Sequence, residues 1–241
     1  PTKDVGPNQQ SGKIQNSVNG QNVAKGTTLT YGLTTDDVPA NRAQKITSRS
    51  IVDTLDSKAQ YLGYKAFIKG ADGKLVDVTE HINLTQDGQK LTFDEDSYLL
   101  DRYNQDLTKS VDTPIIDLFV SAQGDGSDIK NSYDLYTNGV KTTSNTVENK
   151  TPNAPKPVKE DLNEKGVNID GKNMLPGDTN VFKVNADYSD YKGVQASDDS
   201  IAKGFYIIDD FPEDALDVDT SKFIAVDSKG QTVKGMSYKV Y

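Results

Sequence analysis

The chain has 241 residues, no cysteine and a formal net charge of −9 at pH 7. This acidity argues against binding nucleic acid through its phosphates, and the lack of cysteine excludes disulfides, thiol catalysis and cysteine-based zinc sites. No stretch approaches the roughly 20 apolar residues of a membrane helix. No signal peptide opens the chain, so we expect an excised mature segment that makes no membrane contact of its own.

The first 150 residues contain many short alternating runs separated by glycine, asparagine and aspartate, a pattern typical of a β-sandwich. Residues 70–73 carry a hairpin signal, and residues 97–108 have helix-like spacing that predicts one short helix. The predicted strands are residues 28–33, 50–56, 64–68, 74–78, 91–93, 115–121 and a final strand over 132–147.

The single histidine, His81, lies in residues 79–83, which alternate like a strand. One histidine permits a Ser-His-Asp triad, but no other pattern in the chain supports one. We therefore interpret His81 as an ordinary strand residue.

A proline-rich stretch divides the chain in two. Residues 149–157 contain three prolines and predict a stiff linker, which separates a domain over 1–150 from a second over 151–241. The segment Val18-Asn19-Gly20 recurs as Ile169-Asp170-Gly171, and residues 50–56 recur as 206–212. The pattern indicates a tandem repeat whose second copy is truncated at Tyr241, near its middle.

Three side chains of the first domain can perform chemistry if they point inward together: Lys3, Asp53 and Asn145. Burial disfavours both charged forms, so the lysine becomes a nucleophilic amine and the aspartic acid keeps its proton. Attack of the amine on the asparagine carboxamide expels ammonia and leaves an isopeptide bond. Asn149 is the rival of Asn145 for this role.

The spacing of the second repeat matches that of the first. Lys3 precedes Asp53 by 53 − 3 = 50 residues, and Lys159 precedes Asp209 by 209 − 159 = 50 residues. The distances to shared residues in between differ, since Gly20 follows Lys3 by 20 − 3 = 17 residues and Gly171 follows Lys159 by 171 − 159 = 12 residues. The equal spacing of 50 residues is therefore also consistent with chance. The alternative is that both lysines are solvated linker ends and that Asp53 begins a turn.

Long stretches of the chain resemble the C-terminal domains of the streptococcal antigen I/II family of surface adhesins. They include VNIDGK at 167–172, LPG at 175–177, KGFYIIDDFPEDAL at 203–216, LTY at 29–31, PANR at 39–42, SNTV at 144–147 and TP at 151–152.

The resemblance implies tandem immunoglobulin-like sandwich domains of the DEv-IgG type, with short helical insertions, stacked into a rod near the cell wall. It also implies a Lys–Asn isopeptide cross-link between Lys3 and Asn145, assisted by Asp53. In the second domain Lys159 and Asp209 fit the same roles, and their partner asparagine is expected beyond Tyr241.

Family domains of this kind can bind calcium. Four aspartates at loop-like positions offer hard oxygen ligands, although they do not form an EF-hand pattern. These candidate ligands are Asp187, Asp190, Asp198 and Asp199.

The predicted function is that of an extracellular, cell-wall-anchored adhesin segment that forms a rigid stalk and is not an enzyme. The resemblance implies that its partners are host glycoproteins such as salivary agglutinin, or other bacterial surface proteins. One alternative is a calcium-dependent carbohydrate-binding module, for which the 12 tyrosines could supply a platform, although tryptophan is absent. Another is a hydrolase that uses Asp209 and Asp210, but adjacent strand residues point to opposite faces.

Overall fold

The computed structural model describes residues 1–70 and 72–241. Short antiparallel strands dominate, with helices α1 at Ser97–Asn104 and α2 at Asp198–Lys203 and with 3₁₀ turns at Thr79–His81, Ser189–Tyr191 and Thr220–Lys222. The strands are β1 Thr2–Pro7, β2 Thr28–Thr34, β3 Arg49–Thr54, β4 Ala59–Lys69, β5 Leu75–Asp77, β6 Ile82–Asp87, β7 Lys90–Glu95, β8 Ile115–Ala122, β9 Asp128–Asn131, β10 Tyr133–Thr137, β11 Val140–Thr143, β12 Val147–Lys150, β13 Val158–Asn163 and β14 Asn180–Asn185.

The first 150 residues form a sandwich of two five-stranded antiparallel sheets. One has the order β1-β2-β8-β4-β5 and the other β11-β10-β3-β7-β6, while β9 pairs with β12. Tyr64 on β4 packs edge-on against Phe93 on β7, with ring centroids 5.1 Å apart, so the two inner faces meet. The predicted all-β sandwich is confirmed, and the DEv-IgG subtype stays a prediction.

Alternation decides which side chains enter the core. On β3, Ile51 and Asp53 are buried while Val52 and Thr54 are more exposed. On β1, Lys3 and Val5 are buried in the same way. Successive strand residues point to opposite faces, so a charged residue in phase with apolar ones is carried into the interior.

The end of the sandwich differs from the prediction. The single final strand over 132–147 is wrong, because β10 and β11 form a hairpin that turns at Asn138 and Gly139, with φ of 50° and 79°. An Asn-Gly pair favours this turn because both residues tolerate positive φ. The predicted helix over 97–108 is confirmed but ends at Asn104.

Two other predicted elements need comment. His81 closes a 3₁₀ turn rather than lying within a strand, and β6 begins at the next residue. The hairpin predicted at 70–73 joins β4 to β5, with Lys69 opposite Leu75. Ala71, which belongs to this predicted hairpin segment, lies outside the described residues.

The chain forms two compact units, Pro1–Gly204 and Phe205–Tyr241. After the sandwich, the first unit contains the antiparallel pair β13–β14, with Lys159 opposite Val184. In the second unit, Phe223 packs on Tyr238 with centroids 4.8 Å apart. The predicted domain limits, 1–150 and 151–241, stay a prediction.

The expected strand around residues 206–208 does not form in the described structure. Its counterpart β3 is held by ladders to both β7 and β10. A strand persists only where neighbours satisfy its backbone groups, and residues 206–208 have no such ladder among the described residues. Nowhere in the described part of the chain is a helix long and apolar enough to cross a membrane.

Asp117 on β8 is a buried carboxylate outside the core proper. One of its oxygens accepts a hydrogen bond from the Gly12 backbone N–H, and the other has no hydrogen-bond partner among the described residues. The loop that covers Asp117 packs closely, since a Cβ on Gly32 would lie 2.9 Å from Ile14 Cγ1. Burial raises the pKa of Asp117 to about 6.

This raised pKa predicts a pH dependence. A carboxyl whose folded pKa exceeds its unfolded value contributes stability that is present below the unfolded pKa and lost as pH rises through about 6. Asp117→Asn should therefore raise stability by about 1–2 kcal/mol at pH 7 and by little at pH 4. Thermal melts of the variant and wild type at both pH values measure this, with the exposed Asp125→Asn as the control. A difference between Asp117→Asn and wild type that is the same at both pH values would contradict it.

Candidate functional site

A lysine and an aspartate from facing sheets meet in the core. Lys3 on β1 is 4% exposed and Asp53 on β3 is 0% exposed. The Lys3 amine forms an ion pair with Asp53 Oδ2, and both side chains are fully buried. Side chains alternate between the two faces of each strand, and Lys3 and Asp53 occupy positions that face the core. The two charged groups therefore meet between the sheets.

Asn131, at the end of β9, completes the group. It is 3% exposed, and its Oδ1 contacts the Lys3 amine. Its Nδ2 donates a hydrogen bond of 2.9 Å to Asp53 Oδ1. One carboxylate oxygen of Asp53 therefore faces the amine and the other faces the amide nitrogen, so the three side chains close a ring of contacts.

Aromatic rings form the walls of this site. Lys3 Nζ lies 4.5 Å from the centroid of Tyr31 and 5.8 Å from that of Tyr133. Burial lowers the pKa of Lys3, and the charge of Asp53 partly opposes that shift. Burial also raises the pKa of both tyrosines, so their phenols stay neutral. The surroundings favour a neutral, nucleophilic amine.

The two asparagines predicted for this site lie elsewhere. Asn145 is exposed, and its amide bonds to the Lys3 backbone rather than to the Lys3 amine. Asn149 is buried, but its Nδ2 donates to the carbonyls of Val18 at 2.7 Å and Gln21 at 3.1 Å. The structure thus brings Lys3 and Asp53 together as expected and places Asn131 beside them instead.

Sequence reasoning missed Asn131 because it treated residues 132–147 as the last strand. Two signals were available. Asn138-Gly139 is a hairpin dipeptide, so the chain turns there and residues 132–147 do not form one strand. Ile129 and Asn131 alternate with exposed neighbours, and both are buried on β9. That phase marks Asn131 as an inward-facing polar residue.

The two residues predicted for the second domain lie in different compact units. Lys159 is on β13, with its Nζ 3.8 Å from the centroid of the Phe182 ring. Asp209 lies in an exposed stretch of Phe205–Tyr241, as does Asp210. Neither aspartate is on a strand, so the opposite-face argument against a paired-carboxylate site does not apply to them.

Two of the four aspartates proposed as calcium ligands accept hydrogen bonds from other residues of the chain. Asp187 Oδ1 accepts a 2.8 Å hydrogen bond from the Ser189 backbone, and Asp199 Oδ2 accepts one of 3.0 Å from Thr28 Oγ1. The described residues contain no group of three or more His, Asp or Glu side chains able to hold a metal ion. Calcium binding at these four aspartates stays a prediction.

His81 has a local structural role. Its Nδ1 lies 3.0 Å from Asp96 Oδ2, and its ring stacks on Tyr98 with centroids 3.9 Å apart. Asp96 is also the N-cap of α1, where its other oxygen accepts from Tyr98 and Leu99 backbone N–H groups. The histidine thus helps to hold the start of the helix.

Two family models match almost the whole chain. The model described as "Cell surface antigen C-terminus" matches residues 1–152. The model described as "Cell surface antigen I/II C2 terminal domain" matches residues 157–240. Neither description names an enzyme.

Solved structures of antigen I/II C-terminal domains share the fold. The C-terminal domain of the AgI/II polypeptide BspA from Streptococcus agalactiae has 24% identity and a TM-score of 0.51, over 62% of this chain and 49% of that one. The C-terminal domain of the antigen I/II-family protein AspA from Streptococcus pyogenes has 24% identity and a TM-score of 0.53, over 62% of this chain and 46% of that one. The match thus spans about half the length of these structures.

Proposed function

The chain belongs to the C-terminal domains of the cell surface antigen I/II family, and from this premise we propose that it is a tension-bearing stalk segment of a surface adhesin. We further propose that an isopeptide bond between Lys3 and Asn131 strengthens it. The observation that carries the second proposal is the buried ring of contacts among Lys3, Asp53 and Asn131.

The proposed reaction is balanced within these three side chains. Burial lowers the pKa of Lys3, which favours the neutral amine that the reaction needs. The Lys3 nitrogen attacks Asn131 Cγ, and a new C–N bond forms as the bond from Cγ to Nδ2 breaks. Asp53 contacts both nitrogens, so it can take a proton from the attacking amine and give one to the leaving group. The products are one amide and one ammonia.

A covalent bond here would join β1 to β9. It would close a loop of 131 − 3 = 128 residues. In the chain-entropy model developed for disulfides, a loop of this length contributes about 5 kcal/mol to stability. Tension applied to β1 would pass to β9 through the amide, so the strands would not have to unzip.

Contacts between the sandwich and the chain that follows it support a stalk role. Thr28 donates its backbone N–H to Ser197 Oγ at 2.8 Å, and Ser197 is fully buried. Backbone bonds join Ala24 to Gln195 at 2.8 Å and Gln195 to Asn22 at 2.9 Å. These bonds dock the segment around Ser197 on the sandwich, which would let force pass from one part of the stalk to the next.

The location and partners follow from the family. We propose an extracellular position at the cell wall surface and attachment to host or bacterial surface ligands. Salivary agglutinin as the receptor, and calcium as a bound ion, stay predictions. Binding to immobilised agglutinin with and without a chelator would check both.

Intact-mass measurement tests the cross-link. We expect the wild-type chain to weigh less than its sequence by the mass of one ammonia, and Asn131→Ala to keep its full mass. Asn83→Ala, on the exposed surface of β6 in the second sheet, is the matched control and should still lose ammonia. A wild-type chain at full sequence mass after folding would rule the cross-link out.

A further inference from the structure

Asn145 forms two hydrogen bonds to the backbone of Lys3, on the side of β1 that has no neighbouring strand in its sheet. Its Oδ1 accepts a 2.8 Å hydrogen bond from the Lys3 N–H, and its Nδ2 donates a 2.8 Å hydrogen bond to the Lys3 carbonyl. We propose that Asn145 is a positioning residue, which clamps Lys3 so that its amine is delivered to Asn131. This inference rests on the cross-link proposed above.

The clamp takes the place of a missing strand. β1 is the edge strand of its sheet and pairs on one side with β2, where Lys3 lies opposite Leu33. In a strand the N–H and C=O of one residue point to the same side, and alternate residues point to opposite sides. Those groups of Lys3 meet Asn145, so they point away from β2. The side-chain amide satisfies both of them as a neighbouring strand would.

Only an amide side chain of this length offers the pair of bonds. Asparagine presents one acceptor and two donors, whereas aspartate presents acceptors alone. The exposure of Asn145 also distinguishes it from Asn131, which is 3% exposed and lies at the amine. Asn145 holds the backbone and Asn131 faces the nucleophile, so the two asparagines have separate roles.

The segment that carries Asn145 is itself anchored to the site wall. Ser144 donates its N–H to the Tyr133 carbonyl at 2.9 Å, and its Oγ accepts the Tyr133 N–H at 2.9 Å. The Tyr133 hydroxyl in turn donates to the Thr2 carbonyl at 3.2 Å. Thr2 and Lys3 are therefore held from a segment that also forms the aromatic wall. An error of about 1 Å in the position of a reacting group is enough to slow a reaction strongly.

The test follows ammonia loss over time. The chain is made by cell-free synthesis, samples are quenched in acid and urea at intervals, and their intact masses give the rate. Protease resistance of parallel samples gives the time of folding, so that cross-linking is compared only after folding is complete. We expect Asn145→Ala to fold and to lose one ammonia in the end, but about tenfold more slowly than wild type.

Two further variants sharpen the result. Asn145→Asp keeps an acceptor for the Lys3 N–H but cannot donate to the Lys3 carbonyl, so its rate should fall between those of wild type and Asn145→Ala. Asn83→Ala should react at the wild-type rate. A structural role alone would change melting or protease resistance without this graded change in the rate of ammonia loss.

Each contrary outcome has one meaning. If Asn145→Ala loses ammonia at the wild-type rate after folding, the clamp is wrong and the cross-link stands. If Asn145→Ala keeps full mass while Asn131→Ala loses ammonia, Asn145 is the cross-linked residue and the inference fails. If wild type itself keeps full mass, the cross-link proposal fails.

Discussion

Replacing Asp53 with alanine is expected to leave the folded chain at its full sequence mass and to lower its melting temperature by about 10–20 °C. The side chain contacts both the Lys3 amine and the Asn131 amide nitrogen, so its loss removes the proton relay between them. Loss of the cross-link costs about 5 kcal/mol in the chain-entropy model. Each kcal/mol corresponds to about 2–4 °C in a domain of this size.

Two comparisons separate the loss of the bond from the loss of a buried charge partner. Asp53→Ala leaves Lys3 buried without its carboxylate, which adds to the destabilisation. The double variant Lys3→Met with Asp53→Leu removes the nucleophile and both buried charges, so it should also keep full mass but melt above Asp53→Ala. Intact mass shows whether the cross-link has formed, and calorimetry on the same samples gives the melting temperature. An Asp53→Ala chain that has lost ammonia like wild type would contradict the assigned role.

The second large effect is expected at another buried ion pair, which lies within the sheet that carries Asp53. Arg49 on β3 pairs with Glu95 on β7, and their side chains are 3% and 5% exposed. Arg49 also donates to Thr35 Oγ1, which follows β2, and so links the two sheets. Burial raises the pKa of Glu95, which shows the cost of removing its charge from water, and Arg49 opposes that shift.

Glu95→Ala should destabilise the sandwich by about 3–5 kcal/mol, because Arg49 is left buried and uncompensated. The double variant Arg49→Met with Glu95→Leu removes both charges and should be closer to wild type than the single variant. Urea unfolding of the three chains measures this. Lys141→Ala, which breaks the exposed pair with Asp134, is the control and should change little. A double variant less stable than Glu95→Ala would refute the explanation.

Local patterns in the sequence were enough for much of the fold. Alternating runs and turn residues predicted most strands of the sandwich and the helix at α1. They failed where a strong turn signal was overlooked, at Asn138-Gly139, and where a strand needs neighbours, at residues 206–208. Hydrogen bonds between strands are long-range, so a pattern that favours a strand does not by itself secure one.

The sequence by itself determined the chemistry that the site can offer: a cysteine-free chain, with Lys3 and Asp53 in phase with buried apolar neighbours on β1 and β3. Only the tertiary structure decided which asparagine meets them. Alternation tells which face of a strand a residue occupies, but not which strand ends come together across the sandwich. The hairpin of β10 and β11 places Asn145 at the open edge of β1, and β9 brings Asn131 into the core. The contact of Lys3 with Asn131 spans 128 residues of sequence, and its contact with Asn145 spans 142. A local sequence pattern does not specify contacts over such separations.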